Sequence, residues 1–281
     1  MNKIPRLHVG TGTQVGALTV FPMWVDAPKV TGLDWKAGSI RVAEREGSPV
    51  VDELAVQNTE RRPVVALEGD LLRGGWQDRM LAASVVLEPL EARVVGAFCV
   101  EAGRWHGTGT HAANGRRSAP SVRHGNLASG SQGAVWQRIS RYDRELGATP
   151  SSSMIDHLDR NGSIAINRLD GQRGVIIGIG GQIVGAEIFG NATGLGTRWQ
   201  GILDAAALDA RLAPSIRTGA SQARAFVRHL GAMTLEHGGD AGMTRQLRSQ
   251  RGSVRATGIG DGSRLIHLAA FDDAHPLLVG A

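Results

Sequence analysis

The chain has 281 residues, of which 42% are hydrophobic and 20% charged, so it is long enough to bury a large core. Its formal net charge is +5, but the basic residues are scattered among acids and only 4% of residues are aromatic, which disfavours nucleic acid as a partner. No run of about 18 apolar residues could span a membrane, and the single cysteine, Cys99, excludes an internal disulfide and a thiolate zinc site. The first residues lack the apolar core of a secretory signal, so we expect a soluble, cytoplasmic protein.

Short strands are predicted from residue 6 to about residue 100. They fall in the segments LHVG, GALTVFPM, SIRVAE, ELAVQN, PVVALEG, ASVVLEP and RVVGAFCVE. Most of these are rich in valine and leucine and are bounded by Gly, Pro or Asp, which is typical of strands joined by turns. The N-terminal half is therefore expected to be rich in β-structure.

The segment at about 107–132 has a different composition, with Val122 and Leu127 as its only sizeable aliphatic residues. We predict a long polar surface loop there, because so few apolar side chains could anchor a regular element. Loops of this length in compact domains are usually functional or disordered. Glycines at both ends would let this one move over a pocket.

Three segments of the C-terminal half have helical spacing. The first begins after Ser131, where apolar residues recur at intervals of four, three and four. The second starts at Thr197 and Gln200, which have the spacing of a capping box, and closes before Pro214. The third ends at Leu230. We therefore predict about three helices in this half.

A hairpin is predicted at residues 174–189, where two apolar runs flank Gly180 and Gly181. A dinucleotide-binding glycine loop would instead lead into a helix, whereas here the strand-like run QIVGAEIF follows. GSVRATG and SRLIHLAAF read as closing strands. Strands, then helices, then strands predict an α+β fold, and we expect residues 1–281 to form a single domain.

The segment GDLLRGGWQDRM, residues 69 to 80, is the first candidate site, because its glycines permit tight turns around three consecutive polar residues. We interpret Arg79 as a ligand contact, Gln77 as an amide contact, and Asp78 as a catalytic carboxylate or the partner of an arginine. Neighbouring strand residues face opposite sides, so all three can meet one ligand only if the segment turns. A polar turn braced by its own hydrogen bonds is the alternative.

The segment FCVEAGRWHG, residues 98 to 107, is the second candidate. Strand alternation places Cys99 and Glu101 on one face. Arg104 and Trp105 follow, and a guanidinium beside an indole could clamp a phosphate and stack on a base or sugar. Glu101 could accept ribose hydroxyls or act as a general acid or base. The alternative is an Arg–Glu ion pair that supports a rim tryptophan.

Other candidates carry less information. His106, His111 and His124 match no metal-binding spacing and are interpreted as solvated, so no metal site is predicted. Neither a nucleophile elbow nor a phosphate loop occurs. Cys99 could be a nucleophile, although a lone cysteine at a strand end is more often buried. Glu187 lies in an apolar strand and must pair, face water or enter a polar cleft, which makes it a further candidate ligand contact.

The two candidate segments, together with SAPSVR, SQGAVW and RGVIIGIGGQIVGAEIFG, resemble a known bacterial family over nearly the whole chain. That family is named for its association with ADP-ribosylglycohydrolases and the rhodanese-phosphatase superfamily. Its most specific parts are Gly-Gly-x-Gln-Asp-Arg and Cys-Val-Glu-x-Gly-Arg-Trp, and both are intact here. The resemblance implies a link to NAD or ADP-ribose metabolism, but it supplies no cofactor and no catalytic mechanism.

The first hypothesis is therefore a protein that binds an ADP-ribose-like or other nucleotide-derived phosphate ligand. Whether it hydrolyses or transfers that ligand stays open, as does the identity of any cofactor. The alternative is a non-catalytic module that contacts proteins of NAD or ADP-ribose metabolism. A membrane partner is not expected, and nucleic acid is the least favoured partner.

Overall fold

A computed structural model describes residues 2–45, 50–262 and 264–279 of the chain, and the fold is α+β as predicted. The strands of these residues are β1 (Asn2–Lys3), β2 (Arg6–Val9), β3 (Thr13–Val15), β4 (Leu18–Asp26), β5 (Ile40–Glu44), β6 (Glu53–Asn58), β7 (Val64–Ala66), β8 (Asp70–Gly74), β9 (Arg79–Leu81), β10 (Val85–Leu87), β11 (Ala92–Cys99), β12 (Thr110–Arg117), β13 (Gly174–Ile179), β14 (Gln182–Phe189), β15 (Thr234–Ala241), β16 (Thr244–Arg251), β17 (Val254–Asp261) and β18 (Arg264–Asp272). The α-helices are α1 (Pro120–Ser129), α2 (Gln132–Leu146), α3 (Met154–Asn161), α4 (Ala192–Ala210), α5 (Ala220–Gly231) and α6 (Pro276–Val279).

Two compact units make up this part of the chain. One, called the sheet unit here, contains β1 to β4, β13 to β18, α5 and α6. The other, called the barrel unit, contains β5 to β12 and α1 to α3, and α4 contributes residues to both units. The single domain stays a prediction, because two compact units can still unfold as one cooperative whole.

The sheet unit is built on an antiparallel sheet of ten strands in the described residues, in the order β1-β15-β16-β17-β18-β14-β13-β4-β2 with β3 beside β4. Phe21, Ile176 and Leu247 belong to its buried core, and α5 adds Phe226. The predicted hairpin is confirmed, because β13 and β14 pair directly around two glycines with φ of 62° and 90°. Positive φ angles are accessible to glycine at little cost, which explains the glycine pair at this turn.

The barrel unit contains a closed antiparallel barrel in the order β11-β6-β5-β12-β8-β9. Its core includes Val42, Leu54, Val56, Leu72 and Leu81. Alternate residues of β6 are buried, which matches the period of two expected when one face of a strand points into a barrel. Closure leaves no open sheet edge among these six strands.

The predicted polar loop at 107–132 is wrong, because strand β12 and helix α1 occupy most of it. The error has a physical cause, since buried ion pairs replace aliphatic packing there. Arg117 Nη1 donates to Asp70 Oδ1 at 2.9 Å, and Arg123 Nη2 donates to Glu68 Oε2 at 2.8 Å. All four of these side chains are buried, so the low aliphatic content of the segment indicated a polar interior rather than a loop.

The predicted layout of the C-terminal half was incomplete. Helix α2 lies where its apolar spacing predicted it, and the Ser131 side chain caps it by accepting a hydrogen bond from the Ala134 backbone. Helices are also present at α4 and α5, but α3 and α6 are short and were not predicted. The two predicted closing strands correspond to β17 and β18, whereas β15 and β16, which pair with each other before them, were not predicted. No helix of the described residues is long and apolar enough to cross a membrane.

The packing of the barrel core makes a first prediction. Leu72 is fully buried on β8, so we expect Leu72→Ala to lower the free energy of unfolding by about 2–5 kcal/mol through lost burial and the cavity left behind. Leu90→Ala makes the same chemical change where the side chain is 60% exposed and should shift stability by less than about 1 kcal/mol. Chemical denaturation of both variants measures this, and equal losses would contradict the barrel assignment.

Candidate functional site

Strand pairing brings the two candidate segments together at one end of the barrel. Arg79, at the start of β9, is the direct cross-strand partner of Cys99, at the end of β11. Beyond that pair, the Val100 backbone N–H donates to the Asp78 carbonyl at 2.9 Å. Gln132, from the SQGAVW segment, binds both backbone groups of Cys99 at 2.8 Å. Pieces that are far apart in sequence therefore adjoin in the fold.

The glycines of GDLLRGGWQDRM are needed for the turn that follows β8. Gly74 and Gly75 have φ angles of 105° and 58°, a region that favours glycine. A Cβ atom on Gly75 would overlap the His111 imidazole and lie 2.8 Å from Glu44 Oε1. Glycine at position 75 therefore leaves the space into which His111 and Glu44 fit.

An outer clamp is formed by Arg104 with two buried carboxylates. Arg104 Nη2 lies 2.6 Å from Glu101 Oε2 and 3.3 Å from Asp78 Oδ1. Nε donates to Glu101 Oε1 at 3.0 Å, and Nη1 donates to the carbonyls of Gly75 and His106. Every guanidinium nitrogen of Arg104 thus has a protein partner. A phosphate could bind Arg104 only by displacing one of them.

The two carboxylates of the clamp have pKa values that shift in opposite directions. Burial raises the pKa of Asp78, although hydrogen bonds from the Gly74 backbone and Ser153 oppose it. Burial also acts to raise the pKa of Glu101, but hydrogen bonds from Arg104, Ser151 and the Asp78 backbone outweigh it and lower that pKa overall. Asp78 is therefore the carboxyl more able to hold a proton, while Glu101 stays ionised. Such a divergence is common where one acid donates a proton and another stabilises charge.

Gln77 links the clamp to an inner cluster, which contains Arg79, Cys99 and Glu44. Its Nε2 donates to the Glu101 carbonyl at 2.8 Å, and its Oε1 accepts from Arg79 Nη1 at 3.0 Å. The Cys99 thiol also donates to Gln77 Oε1, at 2.9 Å. Burial raises the pKa of Cys99 to about 11, with the nearby Arg79 only partly opposing it. Cys99 is consequently a protonated thiol near neutral pH, which makes it a poor nucleophile.

Arg79 is a member of the inner cluster, and two of its three guanidinium nitrogens lack a hydrogen-bond partner among the described residues. Its side chain is fully buried, yet Nε and Nη2 make no hydrogen bond to any residue that the structure describes. Glu44 Oε2 also lacks one within the same residues, and it lies 3.9 Å from Arg79 Nη2. An unsatisfied buried polar group costs about 1–3 kcal/mol, so these atoms are suited to a ligand group or an ordered water.

Glu44 and His111 were missed as site residues in the sequence. His111 Nε2 lies 3.2 Å from Glu44 Oε1, and the Trp76 backbone N–H donates to the same oxygen at 3.0 Å. Burial lowers the pKa of His111, with Glu44 partly opposing the shift, so the imidazole is neutral near pH 7. One signal was available, because Glu44 continues the inward-facing series of Ile40 and Val42 on β5.

The interpretation of His111 and His124 as solvated side chains is wrong, because both residues are buried. Trp105, by contrast, has an exposed side chain, with 45% of its surface accessible. Its ring packs edge-on against Trp76 at a centroid distance of 5.5 Å. Arg79 Cζ lies 5.6 Å from the centroid of the Trp105 ring. An exposed indole therefore lies over a buried guanidinium.

The structure places six of the seven predicted site residues in this arrangement, namely Gln77, Asp78, Arg79, Glu101, Arg104 and Trp105. Glu187 lies in the sheet unit on β14, where its Oε2 is 2.9 Å from His267 Nε2. Glu187 is buried and paired, which is one of the three alternatives expected for a carboxylate in an apolar strand.

The barrel unit also has a surface cavity of about 450 Å³ lined by Asp34, Thr59, Glu60, Arg61 and Arg62. None of the motif residues lines it, so it is a separate feature of this unit. Among the residues that the structure describes, no group of three or more His, Cys, Asp or Glu side chains is arranged to hold a metal ion.

The chain belongs to the family described as the ARPP-1, or ARG and Rhodanese-Phosphatase-superfamily-associated Protein, domain, whose model matches residues 6–271. This confirms the family indicated by the motifs. No curated protein and no solved structure matches the chain. Family membership leaves the ligand and the reaction to be argued from the geometry.

The buried thiol makes a prediction about alkaline pH. The pKa of Cys99 rises from an ordinary 9.0 to about 11 in the folded protein, so the unfolded chain loses the thiol proton first. Stability should therefore fall as pH rises from about 9 to about 11, by on the order of 2 kcal/mol. Denaturant titrations across this range should show the decline in the wild type and a smaller one in Cys99→Ala. Parallel pH profiles for the two proteins would contradict it.

Proposed function

We propose that the barrel unit binds an ADP-ribose-like or other nucleotide-derived phosphate ligand at the end where its two motifs meet. The observation that supports this most directly is the fully buried Arg79 guanidinium beneath the exposed Trp105 ring. Two of the guanidinium nitrogens make no hydrogen bond to the described residues. A buried donor group and a stacking surface at one place are typical of nucleotide recognition. The family's association with ADP-ribosylglycohydrolases supports the ligand class.

Each motif residue has a distinct role in this proposal. Trp105 stacks on the base or sugar of the ligand, and Arg79 supplies hydrogen-bond donors. Gln77 orients Arg79 through the bond to Nη1. Arg104 meets the phosphate at the rim when its bonds to the Gly75 and His106 carbonyls are exchanged for phosphate oxygens.

A catalytic role would fall to the two carboxyls of the outer clamp. The raised pKa of Asp78 suits a proton donor, and the lowered pKa of Glu101 suits a group that stays anionic and stabilises positive charge or accepts a proton. Hydrolysis or transfer of the ligand is thus the reaction class that we propose, in a cytoplasmic protein of NAD or ADP-ribose metabolism. Glu187, in the other unit, stays a separate proposal as a ligand contact.

Binding is tested by titration calorimetry with ADP-ribose, NAD and AMP on the full chain. At least one of these nucleotides should bind. Trp105→Ala should then lower its affinity about tenfold, because stacking on a base contributes about 1–3 kcal/mol. Trp136→Ala is the matched control, since Trp136 on α2 is exposed to a similar extent, 41% against 45%. Absence of heat from all three ligands with folded protein would remove the ligand claim.

Turnover is tested separately on whichever nucleotide binds. Glu101→Gln keeps the shape of the side chain but removes its charge, so the rate of product formation should fall by about tenfold or more. General acid–base catalysis usually contributes a factor of about 100 to 10,000, so this expected loss is a lower bound. Asp78→Asn should lower the rate and shift its pH profile. Thermal denaturation of both variants must be checked, and unchanged turnover in folded Glu101→Gln would exclude the catalytic role.

A second candidate function is a non-catalytic interaction module, and the outer clamp favours it. All the nitrogens of Arg104 are occupied by protein groups, as expected if the clamp only braces Trp105 for contact with a protein of the same metabolism. This candidate predicts no turnover and partner binding that survives Glu101→Gln. Detected turnover that depends on Glu101 would decide against it.

A further inference from the structure

We infer that the buried Glu44–Arg79 pair recognises a sugar hydroxyl, so that the sugar of the ligand, rather than its phosphate, occupies the barrel end. This inference rests on the proposed function and specifies which part of the ligand the inner cluster binds. It assigns a binding role to Glu44, which neither motif contains.

Charge argues against a phosphate beside Arg79. Glu44 Oε2 lies 3.9 Å from Arg79 Nη2, so the guanidinium charge already faces a carboxylate at short range. A phosphate close enough to bind Nη2 would also lie close to that carboxylate, and two anions in a buried place repel strongly. A neutral group avoids the repulsion.

The hydrogen-bonding chemistry favours a hydroxyl in particular. Glu44 Oε2 needs a donor and Arg79 Nη2 needs an acceptor, and neither has one in the described residues. A hydroxyl supplies both from a single oxygen, whereas phosphate oxygens only accept. The 3.9 Å separation of the two atoms allows one oxygen to lie about 2.8 Å from each of them. An adjacent hydroxyl of a sugar diol could use Arg79 Nε, the other nitrogen without a partner.

The orientation of Glu44 is fixed by the turn that contains the first motif. Its Oε1 is held by the Trp76 backbone N–H and by His111 Nε2. Gly75 leaves room for this contact, because a Cβ atom there would crowd both groups. The second oxygen, Oε2, is therefore directed to Arg79 rather than free to rotate. A preorganised acceptor of this kind loses little entropy on binding.

Entry to the pair requires movement at the rim. Arg79 is fully buried, and the exposed Trp105 ring is the side chain that lies over its guanidinium. A sugar that reaches Glu44 would pass beneath that ring, leaving the attached phosphate outside near Arg104. Phosphate at the rim and sugar inside are therefore compatible within one ligand.

The test compares D-ribose 5-phosphate with its 2-deoxy and 3-deoxy analogues, which carry the same phosphate and differ by one hydroxyl. Calorimetry on the full-length wild-type protein should show at least one analogue binding about tenfold or more weakly, as expected when a buried acceptor is left unpaired. Glu44→Gln should weaken D-ribose 5-phosphate and remove most of the difference between it and that analogue. Glu60→Gln, at the separate cavity, is the matched control and should change neither affinity nor discrimination.

The opposite results are equally clear. If phosphate occupied the pair, removing the negative charge of Glu44 would strengthen binding, and neither deoxy analogue would be discriminated. If only a water bridged the pair, all three sugars would bind the wild type equally. Either outcome overturns the inference but leaves the proposed function standing when ADP-ribose binds and Trp105→Ala weakens it. Failure of D-ribose 5-phosphate to bind a wild-type protein that binds ADP-ribose would likewise overturn the inference. The wild-type comparison needs no variant, so it tests the inference even if Glu44→Gln fails to fold.

Discussion

The site depends on one constraint, which is that the barrel end must hold the charge of a fully buried arginine. Arg79 is placed there by the register of β9 against β11, which sets it opposite Cys99. A buried charge is costly unless it is paired and hydrogen-bonded. Two neighbouring residues partly satisfy the Arg79 guanidinium. Gln77 accepts a hydrogen bond from one nitrogen, and a Glu44 carboxylate oxygen lies 3.9 Å from another.

The outer clamp and the inner Glu44–Arg79 pair differ in how completely their charged groups are hydrogen-bonded by the protein. Arg104, Glu101 and Asp78 satisfy one another almost completely, so their arrangement holds the two segments together without a ligand. The inner pair leaves polar atoms without partners in the described residues. Natural proteins tend to break local rules of this kind at functional sites. The clamp is thus satisfied by its own residues, whereas Arg79 keeps hydrogen-bond donors for the ligand that we propose.

The sequence was sufficient to predict those strands and helices that are determined by local residue patterns. Two apolar runs around a glycine pair located the β13–β14 hairpin, and apolar spacing located α2. That the two motifs adjoin was an assumption of the site hypothesis, and the pairing of β9 with β11 is what brings them together. The strand β12 and helix α1 could not be predicted this way, because Arg117 and Arg123 replace aliphatic side chains with ion pairs to distant residues. Only the tertiary structure reveals that those arginines have partners.

Glu44 is a site residue that the sequence alone could not identify, because its role depends on a contact with a residue far along the chain. An inward-facing acid at the end of an apolar strand is visible in SIRVAE, but its significance depends on Arg79, which lies far along the chain and meets it only through barrel closure. Gly75 is informative for the same reason, since its missing side chain is explained by His111 and Glu44 rather than by the turn alone. A polar residue at a core position and a glycine that faces it are therefore better indicators of a buried site than either motif read alone.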